Sequence, residues 1–265
     1  MRRREQGAAD EGAGVEGKPM HRMLRTTLAA ATTAVVAGAL VGCALLAPPH
    51  RVSDETTVTD DISTIELVDS SGSVTVRGDT DATETVISRT VSYRGAERTI
   101  DETHEVSGDT LELRGCGRNC SVAYEIEVAE GVDVQGSTSN GAITLEHVGE
   151  VDVQTSNGRI ELEDVSGDIV AETSNGRIEG SDLRGSGVRA STSNGAIDLE
   201  LGVAQDVEAR TSNGAIDLEV PAGGSYRVTT ETSNGREDIG VANDPDGEHT
   251  LELRTSNGAI TVTED

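Results

Sequence analysis

The chain has no tryptophan, no phenylalanine, three tyrosines and one lysine, Lys18, in 265 residues. Only Tyr93, Tyr124 and Tyr226 could stack on a sugar ring, which argues against a glycan-binding module. No phosphate-binding glycine loop with its lysine can be written, and the Gly-x-Ser-x-Gly elbow and the His-Glu-x-x-His pair are also missing. His50, His104, His147 and His249 are scattered and share no period. Basic residues are few: the net charge is −27, and beyond residue 42 there are 15 basic and 44 acidic residues. Such a surface repels nucleic acid, which is excluded as a partner, and anionic headgroups, and it invites cations or basic partners. The same acid excess also serves plain solubility.

Cysteine is scarce as well, with Cys43, Cys116 and Cys120. Cys43 falls at the end of Leu40-Val41-Gly42-Cys43, which resembles the lipobox of bacterial lipoproteins. Arg22 and Arg25 precede it, and residues 26–47 form an uncharged run that would span roughly 33 Å as a helix. A lipidated Cys43 and an uncleaved transmembrane helix are the two readings. Both place the remaining chain outside, on the outer face of the cytoplasmic membrane, in keeping with the basic N-terminal flank. With Cys43 lipidated, Cys116 and Cys120 are left as a pair for a local disulfide. A metal site would need two further ligands, with His104 the one imidazole nearby, and a free reduced pair is the plain alternative.

Glycine is abundant, 31 residues, and much of it is periodic. Thr-Ser-Asn-Gly begins at Thr138, Thr155, Thr173, Thr192, Thr211, Thr232 and Thr255, at intervals that widen from 17 to 23 residues. A unit this short cannot bury a core alone and must stack on its neighbours. Val151, Val153 and Thr155 share one face, Ile160 and Leu162 share one face of the next strand, and Asp152, Gln154, Glu161 and Glu163 point away. Asn157-Gly158 reads as a tight turn with positive φ, and 166–168 as the other corner. Asn-Gly between alternating strands also signals a hairpin. In an antiparallel meander, however, equivalent residues lie roughly 9.6 Å apart and gain nothing from identity, whereas stacked coils bring them to roughly 4.8 Å. Seven near-identical units favour an all-β solenoid, with Asn140, Asn157, Asn175, Asn194, Asn213, Asn234 and Asn257 as a structural turn ladder. The Thr232 unit has Arg236-Glu237-Asp238-Ile239 where the isoleucine belongs, and a distorted coil is expected there.

Four segments follow: a signal or lipoprotein leader over 1–42, an anchor-proximal linker over 43–60, an irregular N-terminal β region over 61–135 that caps the stack, and the repeat solenoid over 136–265. Strands are expected at 62–68, 73–77, 85–93, 110–114 and 121–128 from their alternation. The units from Thr138, the Thr110-Leu-Glu-Leu strand before Cys116 and Cys120, and Ser121-Val-Ala-Tyr-Glu-Ile-Glu-Val together resemble exported bacterial proteins of unknown function called putative adhesins, with β-strand repeats. The resemblance covers roughly 60–265, departs at Ala129 where a proline is typical, and implies a single-chain, right-handed β-solenoid. It brings no catalytic residues.

One constellation invites chemistry. Glu161, Glu179, Asp198 and Asp217 form an outward column with Arg159 and Arg177 beside it, similar to the flank of β-helical polysaccharide lyases, while a solvated face is the plain reading. The column makes weak, distributed Ca²⁺ association an expectation. Ser139, Ser156, Ser174, Ser193, Ser212 and Ser256 form a second regular column, read as turn chemistry. The function expected is a non-catalytic, anchored, binding or structural surface protein with an unidentified surface ligand or protein partner. The alternatives are a cation-dependent polysaccharide-active enzyme and an accessory envelope-stress protein that binds a membrane partner.

Overall fold

The computed structural model describes residues 49–265, which make one compact unit. The leader and Cys43 lie outside the described residues. Twenty-one strands follow one another: β1 (His50–Val58), β2 (Thr64–Ser70), β3 (Val74–Asp79), β4 (Thr85–Tyr93), β5 (His104–Ser107), β6 (Thr110–Arg114), β7 (Cys120–Ala129), β8 (Asp133–Asn140), β9 (Ile143–Glu146), β10 (Val151–Asn157), β11 (Ile160–Glu163), β12 (Ile169–Asn175), β13 (Ile178–Leu183), β14 (Gly187–Asn194), β15 (Ile197–Leu201), β16 (Asp206–Asn213), β17 (Ile216–Val220), β18 (Tyr226–Asn234), β19 (Glu237–Ile239), β20 (His249–Asn257) and β21 (Ile260–Glu264). Among the described residues no helix is long and apolar enough to cross a membrane.

The strands form two sheets, both mostly parallel. One has 11 strands in the order β1-β4-β7-β3-β9-β11-β13-β15-β17-β21-β19, and the other has 10 in the order β18-β20-β16-β14-β12-β10-β8-β2-β6-β5. Each repeat gives one strand to each sheet: the strand ending in Thr-Ser-Asn joins the second sheet, Gly and the next residue turn the corner, and the Ile-x-Leu strand joins the first. Thr155 lies opposite Thr138 and Thr173, Asn157 opposite Asn140 and Asn175, and Ile160 opposite Ile143 and Ile178. The parallel register brings identical residues of successive units together, as the repeat predicts and a meander would not. Val151, Val153 and Thr155 face Ile160 and Leu162 across a continuous buried core, while Asp152 and Gln154 are exposed.

Three expectations are corrected. Residues 50–58, read as linker, form β1, which pairs antiparallel with β4. It lies at a sheet edge with mostly exposed side chains, so its sequence never needed the alternation that marks a half-buried strand. Neither Asn157 nor Gly158 has a positive φ. The glycine is required by contact: a Cβ on Gly176 would lie 1.8 Å from the carbonyl oxygen of Gly158, and one on Gly195 as close to that of Gly176. Glycine here serves close approach of coils, not a left-handed turn.

The third correction concerns order. β20 and β21, last in sequence, lie between β16–β17 and β18–β19. The Thr232 unit is therefore the outermost coil, and its irregular sequence fits that place: Glu237 lies opposite Ile260, and Thr230 Oγ1 donates 3.0 Å to Glu237 Oε2, a polar lid on the core's end. The loop after β19 covers the first half of the β18 edge, with Asp244 N donating to Tyr226 O and Val228 N to Asn243 Oδ1. The other end shows the same exchange, since β2–β3 sits between β8–β9 and β6–β7.

Candidate functional site

The outward face of the 11-stranded sheet carries the acidic column. Parallel pairing sets Glu161 beside Glu179, Glu179 beside Asp198, and Asp198 beside Asp217, and the column ends in Thr144 on one side and Thr261 on the other. A parallel column of Glu146, Glu163, Ser181, Glu200 and Glu219 runs two residues further along the strands, and the two columns line a shallow groove.

The groove's arginines are engaged. Arg159 Nε lies 3.1 Å from Glu161 Oε1, and Arg177 Nη1 lies 3.0 Å from Glu179 Oε1 and 3.4 Å from Asp198 Oδ2. Thr144 Oγ1 donates 3.1 Å to Glu161 Oε2. Where the next two coils have Ala196 and Ala215 in the arginine position, the column keeps its carboxylates without a cation, so Asp217 has no ion pair among the described residues. Asp198 marks the crossover. Its Oδ2 is enclosed and makes no hydrogen bond, the 3.4 Å approach of Arg177 being an ion-pair contact alone, and burial, opposed by Arg177 and assisted by Asp217 and Glu179, pushes its carboxyl above the ordinary value of 3.8. Sequence counting located the column but not this asymmetry, which arises from the Arg-to-Ala change after Asn-Gly. Among the described residues no three His, Cys, Asp or Glu side chains form a group that could hold a metal ion.

Three ladders stand on the adjoining sheet and corner. Each asparagine of the repeat donates its Nδ2 to the Oδ1 of its neighbour in space, from Asn157 to Asn140, Asn175 to Asn157, Asn194 to Asn175, Asn213 to Asn194, Asn257 to Asn213 and Asn234 to Asn257, at 3.0 to 3.2 Å. Beneath them the buried threonines donate to glycine carbonyls of the adjacent coil, as Thr173 does to Gly158 and Thr192 to Gly176, both at 3.0 Å. Ser156, Ser174, Ser193, Ser212 and Ser256 stand exposed between them. Thr-Ser-Asn-Gly thus has a residue-by-residue reading: a satisfied inward hydroxyl, an outward hydroxyl, an amide ladder and a contact glycine. Stacking of identical units leads one to expect threonine to bond threonine as asparagine bonds asparagine; the hydroxyls go instead to the glycine carbonyls.

Solved structures resemble the chain. One is described as a putative cell adhesion protein from Clostridium sporogenes, at 12% identity over 82% of this chain and 100% of that one, with a TM-score of 0.37. Two are described as putative adhesins, from Bacteroides fragilis and Parabacteroides distasonis, each at 13% identity over 82% of this chain and 97% of that one, with TM-scores of 0.42 and 0.41. No family model and no curated protein matches.

Away from the groove, Cys116 and Cys120 are joined by a disulfide. His104, on β5 of the 10-stranded sheet, and the pair at the start of β7 are not brought together with the acidic column, which lies on β11 to β17 of the 11-stranded sheet. His147 lies 3.6 Å from Asp164 at a corner where His147, Asp164 and Asp182 all adopt positive φ.

Proposed function

We propose that the chain is a non-catalytic surface protein: a right-handed β-solenoid, anchored outside the cytoplasmic membrane through lipidated Cys43 or a membrane-spanning helix, that offers repeated columns of side chains as a binding or structural surface. The observation that carries this reading is the in-register stacking of identical residues, which repeats each outward group at every coil and favours many equivalent weak contacts over one convergent site. Handedness is supported by the connection itself, since β10 to β12 through β11 is a parallel crossover and such crossovers are right-handed in about 98% of cases. Against the polysaccharide-active alternative stand the ion pairs of Arg159 and Arg177, which engage the basic groups that a lyase would need free. Ca²⁺ association on the acidic face is diffuse screening in this reading. The test is co-sedimentation of the chain with isolated cell-envelope fractions, with and without Ca²⁺. Binding that survives Arg159→Gln and Arg177→Gln supports the surface reading, whereas cleavage of an envelope polysaccharide that those substitutions abolish overturns it.

A further inference from the structure

Beyond residue 48 the chain has 15 arginines, and nine of them are in ion pairs among the described residues. Of the six that are not, Arg227 and Arg236 belong to the outermost C-terminal coil. The other four, Arg51, Arg94, Arg98 and Arg118, meet at one corner of the opposite end. There the start of β1, the end of β4 and the start of β7 lie side by side, with His50 opposite Tyr93 and Tyr93 opposite Cys120. Arg94 N donates 3.1 Å to Asn119 O, the His50 ring stacks on Tyr93 at 5.0 Å, and the Arg98 guanidinium lies over Tyr93 at 5.1 Å. The Cys116–Cys120 disulfide fixes the loop that holds Arg118. All four arginines are exposed, and in segments 49–53, 92–100 and 115–121 the one carboxylate is Glu97. A chain of net charge −27 thus keeps together four cations that have no ion pair among the described residues, one of them, Arg51, close in sequence to the apolar run 26–47.

We infer that this corner is a docking face for anionic lipid headgroups and seats the folded body on the membrane surface. The inference rests on the anchored reading of the N-terminal segment. A guanidinium offers paired donors that match a phosphate, and each basic residue at an anionic surface strengthens attachment about fivefold. The acidic column does not cancel this. β11, the first strand of the acidic column, is four strands from β4, or about 19 Å, whereas the screening length at physiological salt is about 8 Å. The column therefore repels the membrane only weakly at that corner, where the four guanidinium groups have to outweigh the nearer exposed carboxylates, Glu97 beside Arg98 and Glu55, Glu125 and Glu127 along β1 and β7. That modifies the expectation from composition, where net charge alone argued against headgroup contact.

The test uses the full chain in vesicles of phosphatidylcholine alone or with roughly 30% phosphatidylglycerol. Arginine modification by phenylglyoxal is read by mass spectrometry at each site. Arg94, Arg98 and Arg118 should react severalfold more slowly in the anionic vesicles, the difference should vanish in about 1 M NaCl, where screening shortens to about 3 Å, and Arg227 and Arg236 should react alike in both. Equal reactivity of all five in the two vesicles overturns the inference. Failure of the anchor appears separately, as chain that does not float with phosphatidylcholine vesicles. In that case flotation with anionic vesicles alone, lost in Arg51→Gln/Arg94→Gln/Arg118→Gln but kept in Arg227→Gln/Arg236→Gln, supports the docking face, and no flotation overturns it. The triple variant leaves the Tyr93–Arg98 stack in place, so loss of binding is separable from loss of the local fold.

Discussion

At the scale of single residues, Thr-Ser-Asn-Gly is a contact rule between coils. Gly176 shows it most sharply, because backbone and not a yielding side chain occupies the space a Cβ would need. Gly176→Ala should lower stability by about 2–3 kcal/mol in urea unfolding, through forced separation of two coils. Gly187→Ala is the control: its nearest neighbour is Asp206 O at 3.8 Å, and its change should stay within about 0.5 kcal/mol. The asparagines make a graded series. Asn175→Ala breaks two ladder bonds and Asn234→Ala breaks one, so the first should cost about twice the second, with each bond near 0.5–1 kcal/mol in equilibrium unfolding.

Among elements, the end coils depart most from what composition and period reveal. The repeat itself was legible, since recurrence of the same four residues at intervals of 17 to 23 has a physical reason only when identical residues touch, and the parallel registers supply it. The order of the last two coils was not legible. Both carry the same Thr-Ser-Asn-Gly, so their pairing edges are interchangeable in sequence, and the one trace of the exchange was Arg236-Glu237-Asp238 where an apolar residue belongs. β1 escaped notice because an exposed edge strand needs no alternation. Of the groove, the carboxylate column was readable by stepping one residue on from each isoleucine. The enclosure of Asp198 was not, because it depends on neighbours in adjacent coils. The exchange yields a test by deletion. Removing residues 249–265 takes out a coil with partners on both sides and exposes the inward faces of two neighbours, whereas removing 225–248 takes out only the outer coil and joins Gly224 to His249 by a short connection. Both should keep cooperative unfolding of the preceding coils, and the first should lower the urea midpoint more than the second, as read by circular dichroism.

For the molecule as a whole, charge sets the response to solution conditions. Asp198 has its carboxyl raised, so the folded state holds its proton more tightly than the unfolded chain does. Its ionisation therefore costs stability at neutral pH, and the cost is relieved as pH falls from the raised folded value toward 3.8. Asp198→Asn should melt above the parent chain at neutral pH and low salt, with a gap that closes as the solution is acidified through that window. Asp54, held below the ordinary value by its bond from Arg89, and Asp168, held below it by bonds from Ser186, act in the opposite sense. Their contribution is complete above 3.8 and is lost as pH falls through their depressed folded values. NaCl and CaCl₂ at matched ionic strength should raise the melting temperature equally, because the column acts by shared repulsion. A larger response to CaCl₂ would point to chelation instead.

The exchanged order of the final coils also bears on how the chain is made. A protein synthesised from its N-terminus ordinarily adds its last coil to a finished edge. Here the 17 residues 249–265 must enter a slot between two coils that emerge before them. Until they arrive, β16 and β17 present an open edge that β18 and β19, carrying the same asparagine and threonine contacts, are able to occupy out of turn. The stack is closed only when residues 249–265 have arrived, so a nascent chain stalled before them carries an edge open to a wrong partner.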